Sequence, residues 1–316
     1  MKIIFAGTPE FSAHHLKILL NTDHQIISVL TQPDRKAGRG GKLSSSPVKD
    51  LAIENKIKVL QPSSLKGEEV EEELKELQPD LMLVVAYGLL IPRNILNIPG
   101  LGCLNVHASL LPKWRGASPM ENSINSGDSE TGMTMMRMSE GLDEGPMLKQ
   151  FIYKLNKKET LGSLEKEFMK ISSLRLEGFL KDFEDGRCME SNQPESGHSY
   201  ANKIDSCFKQ INWPEGTAIE IERRIRALNP KHGAFTYLGK NRIKILSSSV
   251  LKKGNLLKPG SIDTTNNKIL VSCKDNTCLD IELIQMAGKK IVDANEFLRG
   301  YKKTLKDEGK FSYLKV

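Results

Sequence analysis

Short apolar runs rich in β-branched residues recur through the first half of the chain, at Lys2–Ala6, Ile26–Leu30, Leu81–Tyr87, Cys103–His107 and Thr134–Met138. The run Leu81-Met82-Leu83-Val84-Val85-Ala86 has no polar alternation, which is the pattern of a strand buried on both faces. Between these runs, Glu10–Leu20, Pro47–Asn55, Gly67–Leu77 and Pro119–Asn125 read as helices. Strands alternating with helices predict an α/β unit built on a mostly parallel sheet. From Thr160 to Phe183, Leu161, Leu164, Phe168, Ile171 and Leu174 keep helical spacing behind a capping threonine, so a long amphipathic helix is expected to cover that sheet.

The pattern then changes. Asp185–His198 is polar and rich in Gly and Pro, as an exposed connector is. Beyond it one helix-like stretch, Thr217–Ala227, is followed by short strand candidates at Ala234–Leu238, Arg242–Leu246, Lys268–Cys273 and Leu279–Met286. Short strands between Gly and Pro turns predict a small OB-like β-barrel. The expected organisation is a first domain over 1–192, a linker over 193–207 and a smaller barrel domain over 208–316, a division that 316 residues accommodate.

Charge sharpens that division. The net charge is +7, yet residues 208–316 hold 21 Lys+Arg against 11 Asp+Glu, a net +10, leaving −3 for residues 1–207. A basic second domain fits a polyanionic partner such as a nucleic acid, and equally a surface that serves solubility. The five cysteines, Cys103, Cys188, Cys207, Cys273 and Cys278, form no Cys-x-x-Cys pair and have no histidines at ligand spacing, so neither a disulfide framework nor a metal site is expected. Met1–Gly7 reads as a strand rather than a signal peptide, and no apolar run approaches the roughly 18 to 20 residues that span a bilayer. A soluble cytoplasmic protein without membrane association is expected.

The first strand runs into Gly7-Thr8-Pro9-Glu10-Phe11 and lacks the second and third glycines of Gly-x-Gly-x-x-Gly, which argues against a dinucleotide on an otherwise doubly wound fold. Unusual residues concentrate instead in Cys103-Leu104-Asn105-Val106-His107-Ala108-Ser109-Leu110-Leu111-Pro112-Lys113-Trp114-Arg115-Gly116. On a strand, Asn105 and His107 share a face, and a strand ending near His107 puts both at the carboxyl end where open α/β sheets bind ligands. Asp143, in the Gly-bounded loop Gly141–Gly145, is placed to reach a neighbouring strand end. A carboxylate orients an imidazole, and an amide donates to a developing oxyanion. Taken singly, a turn asparagine, a satisfied core histidine and a turn aspartate account for the same residues. The segment Pro33–Lys42 joins basic side chains to a glycine-rich backbone suited to following phosphates, or to a solvated loop, and it is not a P-loop because Leu43 follows Lys42.

Several separated motifs, taken together, resemble the methionyl-tRNA formyltransferase family of folate-dependent formyltransferases along almost the whole chain. They are Phe5-Ala6-Gly7-Thr8-Pro9, Thr31-Gln32-Pro33-Asp34-Arg35, Ala37-Gly38-Arg39-Gly40, Val84-Val85-Ala86-Tyr87-Gly88, Asn105-Val106-His107 with Ser109-Leu110-Leu111-Pro112 and Trp114-Arg115-Gly116, and Gly141-Leu142-Asp143. The resemblance implies a Rossmann-like formyltransferase domain and an OB-like barrel. It implies Asn105, His107 and Asp143 as the catalytic trio, with Ser109, Leu110, Leu111, Pro112, Tyr87 and Gly88 holding 10-formyltetrahydrofolate as formyl donor. It further implies Arg35, Arg39 and Lys42 as tRNA contacts, initiator methionyl-tRNA as partner, and neither a metal nor an obligate protein partner. Departures from the family pattern stand at Lys36, Gly41, Ser118–Asn122, Pro146 and Lys231-His232-Gly233, and none removes a proposed catalytic group. Two other readings remain: a formyltransferase for a small amine or amino-sugar nucleotide, and an RNA-binding protein on an inactive formyltransferase scaffold.

Overall fold

A computed structural model describes residues 1–37, 41–251 and 257–313. The chain divides into two compact units, one comprising Met1–Pro119, Glu130–Lys154 and Glu165–Asn202, the other Met120–Ser129, Leu155–Leu164 and Lys203–Val316.

The first unit is built on a seven-stranded sheet. Its strands are β1 (Lys2–Gly7), β2 (Gln25–Leu30), β3 (Lys58–Leu60), β4 (Leu81–Val85), β5 (Cys103–His107), β6 (Glu130–Arg137) and β7 (Met147–Lys154). They lie in the order β7-β6-β5-β4-β1-β2-β3. Pairs from β5 to β3 are parallel, whereas β6 runs antiparallel to both β5 and β7. Every residue of β4 is buried, which accounts for its unbroken apolar sequence. β7 went unread in the sequence because its burial only partly alternates along a sheet edge. The long helix, expected over Thr160–Phe183, spans Leu161–Glu184, and Thr160 Oγ1 accepts the Ser163 N–H at 3.1 Å as its cap.

Chain order leaves β1 for β2 and β3 on one side and returns to β4 and β5 on the other. This reversal opens a crevice at the strands' carboxyl ends. Gly7 and Val85 are paired at that end of β1 and β4, and β5 advances beside β4 with Val84 opposite Asn105. The topology therefore delivers Asn105 and His107 to the ligand-binding edge of the sheet.

The second unit carries an antiparallel sheet ordered Ala234–Leu238, Asn241–Leu251, Cys278–Met286, Ile269–Ser272 and Ile262–Asp263, with Ile291–Asp293 also paired to Cys278–Met286. Ser312 bridges to Tyr237 and Lys310 to Ser261, so one C-terminal segment joins both ends of the sheet and closes it as a small barrel. Trp213, Ile243, Ile245, Val271, Ile281, Phe297 and Phe311 fill its interior. The Trp213 indole donates to Thr236 Oγ1 at 2.9 Å, satisfying the polar atom of a buried ring. The expected helix near Thr217 spans Ala218–Leu228 and begins with a capping box between Thr217 and Glu220. A second helix, Ala294–Glu308, was not anticipated. Its density of lysines and acids obscures a buried stripe of Phe297, Leu298 and Leu305 behind the Asp293 cap.

The segment expected as a linker, 193–207, is divided: 193–202 belong to the first unit and 203–207 to the second. The reason is backbone pairing. Tyr200–Ala201 forms a parallel two-stranded sheet with Arg115–Gly116, fixing a stretch whose composition alone suggests a free connector.

Candidate active site

Asn105 and His107 are both buried at the end of β5, on one face as alternate strand residues must be. Asp143 enters from the β6–β7 loop with φ of 52°, a left-handed conformation that aspartate tolerates better than most side chains. Its carboxylate receives two donors: Asn105 Nδ2 reaches Oδ1 at 3.2 Å, and the Gly116 N–H reaches Oδ2 at 2.8 Å. His107 Nδ1 lies 3.5 Å from Oδ2. The three side chains named from sequence thus converge.

Partner chemistry fixes atoms that geometry alone leaves ambiguous. An ionised carboxylate only accepts, so the amide nitrogen of Asn105 faces Asp143 and its Oδ1 remains an acceptor. His107 Nε2 is 2.9 Å from the Trp114 carbonyl oxygen, which can only accept. Nε2 therefore carries a hydrogen, and Nδ1 is the nitrogen that faces Asp143. An acceptor, an imidazole and a carboxylate meet at one strand end, which is a set able to hold an amine, stabilise an oxyanion and relay protons.

The remaining sequence-named residues fall into place differently. Ser109 is wholly buried and donates to the Lys113 carbonyl at 2.6 Å, while Leu111 is also buried, its N–H donating to Thr134 Oγ1 at 3.1 Å. These two shape the turn leaving β5, which includes a cis Leu111–Pro112 bond; Leu110 and Pro112 keep partly exposed side chains. The Tyr87 ring packs in the apolar cluster with Leu30, Leu60 and Leu65, and its carbonyl accepts from Thr8 Oγ1 and Gln32 Nε2. Gly88 follows with φ of 82°, turning the chain away from β4. Arg35 is exposed on a two-stranded hairpin, Arg35–Ala37 with Lys42–Ser44, to which the backbone of Lys42 contributes. Arg39 lies outside the described residues.

The formyl transferase family profile matches residues 1–176, and that of the formyl transferase C-terminal domain matches residues 203–302. A methionyl-tRNA formyltransferase of Marinobacter nauticus is 45% identical over 306 residues, covering 96% of this chain and 98% of its own. The chain belongs to the methionyl-tRNA formyltransferase family. A second such relative, from Legionella pneumophila, is 42% identical with 96% and 97% covered. Among solved structures, a methionyl-tRNA formyltransferase from Clostridium thermocellum superposes with a TM-score of 0.57 at 20% identity, over 79% of this chain and 93% of that one. At that identity the likeness concerns the fold, and it agrees with a parallel α/β unit followed by an antiparallel one.

One residue at this site had no signal in the sequence. Gln193, in the polar connector, donates from Nε2 to the carbonyls of Asp143 at 2.7 Å and Gly145 at 2.9 Å, and its Oε1 accepts from Arg115 Nε and Nη2 at 3.1 and 2.9 Å. A lone glutamine amid Asn, Pro, Glu and Ser is indistinguishable from loop composition until the fold brings it back.

Proposed function

We propose that this protein transfers the formyl group of 10-formyltetrahydrofolate to the α-amine of initiator methionyl-tRNA in the cytoplasm, giving N-formylmethionyl-tRNA for translation initiation. The observation that carries the substrate is the match, at 45% identity and over nearly the full length of both chains, to an enzyme of that name. The basic 208–316 segment supports a polyanionic acceptor.

In this reading the amine nitrogen attacks the formyl carbon, forming a C–N bond and a tetrahedral oxyanion. The bond from that carbon to the folate nitrogen then breaks, the folate nitrogen gains a proton and the former ammonium loses one. Asn105 Oδ1, the free acceptor of its amide, orients the amine. His107, protonated at Nδ1, offers charge and a proton to the oxyanion and the departing nitrogen, and Asp143 holds that imidazole in register and collects the amine's proton. The turn Ser109–Pro112 and the β4 exit at Tyr87–Gly88 hold the folate, and Arg35, Arg39 and Lys42 engage the tRNA.

The deciding experiment is formyl transfer from 10-formyltetrahydrofolate to charged initiator tRNA, compared with charged elongator tRNA and with small amines including amino-sugar nucleotides. Preference for initiator methionyl-tRNA is expected. Efficient transfer to a small amine with none to tRNA would replace this reading with the small-amine one, and RNA binding without any turnover would replace it with an inactive scaffold.

A further inference from the structure

Asp143 does not hold itself in place. Its backbone is left-handed, and Gly145 two residues later sits so close to the Arg137 carbonyl oxygen that a Cβ there would lie 2.0 Å from it. The turn is tight, and its carbonyls need external donors. Both Asp143 and Gly145 find them in the same group, the amide NH2 of Gln193. The other end of that amide takes two N–H groups of Arg115, whose third arm reaches Glu144 at 3.3 Å.

Arg115 is also part of the loop that serves the trio from the other side. Trp114 gives its carbonyl to His107 and Gly116 its N–H to Asp143. The connector fastens this loop as well: Trp114 N–H donates to Ser199 Oγ at 3.0 Å and Arg115 N–H to the Ser199 carbonyl at 2.8 Å. A closed ring results, running from His107 through Trp114 and Arg115 to Gln193, then to Asp143 and back across the 3.5 Å gap to His107. Gln193 lies on neither loop yet its amide touches both, donating to the Asp143 and Gly145 carbonyls and accepting from Arg115.

From this ring we infer that Gln193 is a positioning residue for formyl transfer, its amide setting the distance between Asp143 and His107. The inference rests on the proposed function for its kinetic readout but not for its structural one. A glutamine amide suits the task because it alone among side chains of this length, with asparagine too short, offers two donors at one end and an acceptor at the other. Loss of the clamp frees the Asp143 turn by a fraction of an ångström or more, and catalytic groups misplaced on that scale lose turnover rather than affinity.

Gln193→Met keeps the volume and removes every hydrogen bond. Its kcat for formyl transfer is expected to fall on the order of 10- to 100-fold, with KM for folate and for tRNA within about twofold. Gln193→Glu keeps the acceptor for Arg115 but turns a carboxylate toward two carbonyls; it is expected to be at least as slow, which ties the effect to the donors. In an Asp143→Asn background, Gln193→Met should cost less than about threefold more, because a residue acting through Asp143 cannot act twice, whereas a merely destabilising change multiplies. Without substrate, hydrogen exchange of the peptide spanning 114–118, which contains the Gly116 N–H held by Asp143, should rise in both variants while β4 and β5 keep their protection. Unchanged kcat and unchanged exchange in Gln193→Glu, or fully multiplicative effects in the double variant, would overturn the assignment. A wild-type protein that fails to formylate methionyl-tRNA while the exchange responds as described would defeat the proposed function and leave the clamp standing.

Discussion

His107 Nδ1 faces Asp143 Oδ2 at 3.5 Å while the opposite ring nitrogen is committed to the Trp114 carbonyl. The imidazole is thus fixed at one end by a carbonyl and faces a carboxylate at the other. This asymmetry sets one side of the ring toward Asp143, which also accepts from Asn105 Nδ2.

Removing either end of that relationship should be felt in chemistry. His107→Ala and Asp143→Asn are each expected to lower single-turnover formyl transfer by about 10² to 10⁴-fold, the range that general acid–base groups contribute, with tRNA affinity little changed. Rapid-quench transfer at saturating enzyme measures this directly. Near-normal rates in the His107 variant would remove it from the mechanism.

Acceptor binding should be governed by salt. With the positive charge concentrated in 208–316 and the Arg35–Lys42 segment, kcat/KM for tRNA should fall linearly with salt on logarithmic axes, and Arg39→Ala should reduce the slope by about one while leaving kcat at saturating tRNA nearly intact. A salt-independent kcat/KM would contradict an electrostatic acceptor site.

His15 should make the fold sensitive to mild acid. Burial pushes its imidazole down to about 4 from 6.5, outweighing the raising effect of its hydrogen bond to the Phe11 carbonyl; its other nitrogen faces Ser172 Oγ at 2.8 Å. Between those two pH values the unfolded chain binds a proton that the native one refuses, so stability is full above about 6.5 and falls as the pH drops, by about 1.4 kcal/mol per unit and roughly 3 kcal/mol over the window. Urea midpoints at pH 7.5, 6 and 5 should decline less steeply in His15→Gln than in the wild type. Equal slopes would mean His15 is not the group responsible.

Tyr87 tests a different cost. Its hydroxyl is buried with no hydrogen-bond partner among the described residues, and burial pushes its ionisation up to about 12. Desolvating that hydroxyl costs free energy that Phe would not incur, so Tyr87→Phe should stabilise the protein by up to about 1 kcal/mol in urea unfolding. A loss of similar size would reveal a partner, such as an enclosed water. A folate KM raised several-fold in the same variant would place the hydroxyl, rather than the main chain, against the formyl donor.

Local pattern carried much of the fold. Short apolar runs marked β1, β4 and β5, and the helix at Leu161–Glu184 appeared within a residue of its ends because spacing and a threonine cap are local properties. Local pattern failed where burial is partial, as in β7, and where charge masks a narrow apolar stripe, as in Ala294–Glu308. At the site the same division holds. Asn105 and His107 are two apart on one strand, so their shared face could be read, but Asp143 is 36 residues past His107 and only its loop position and its motif suggested a meeting.

By itself the sequence determined the α/β unit followed by a β-rich basic unit and the family to which the chain belongs, because each is written in spacing, composition or a contiguous motif. The tertiary structure alone decided that residues 193–202 of the expected linker join the first unit, that His107 Nε2 faces the Trp114 carbonyl while Nδ1 faces Asp143, and that Gln193 stands behind Asp143. These are contacts between segments 50 or more residues apart, or choices made by a backbone carbonyl that carries no side-chain signature, and only the folded chain brings such groups together.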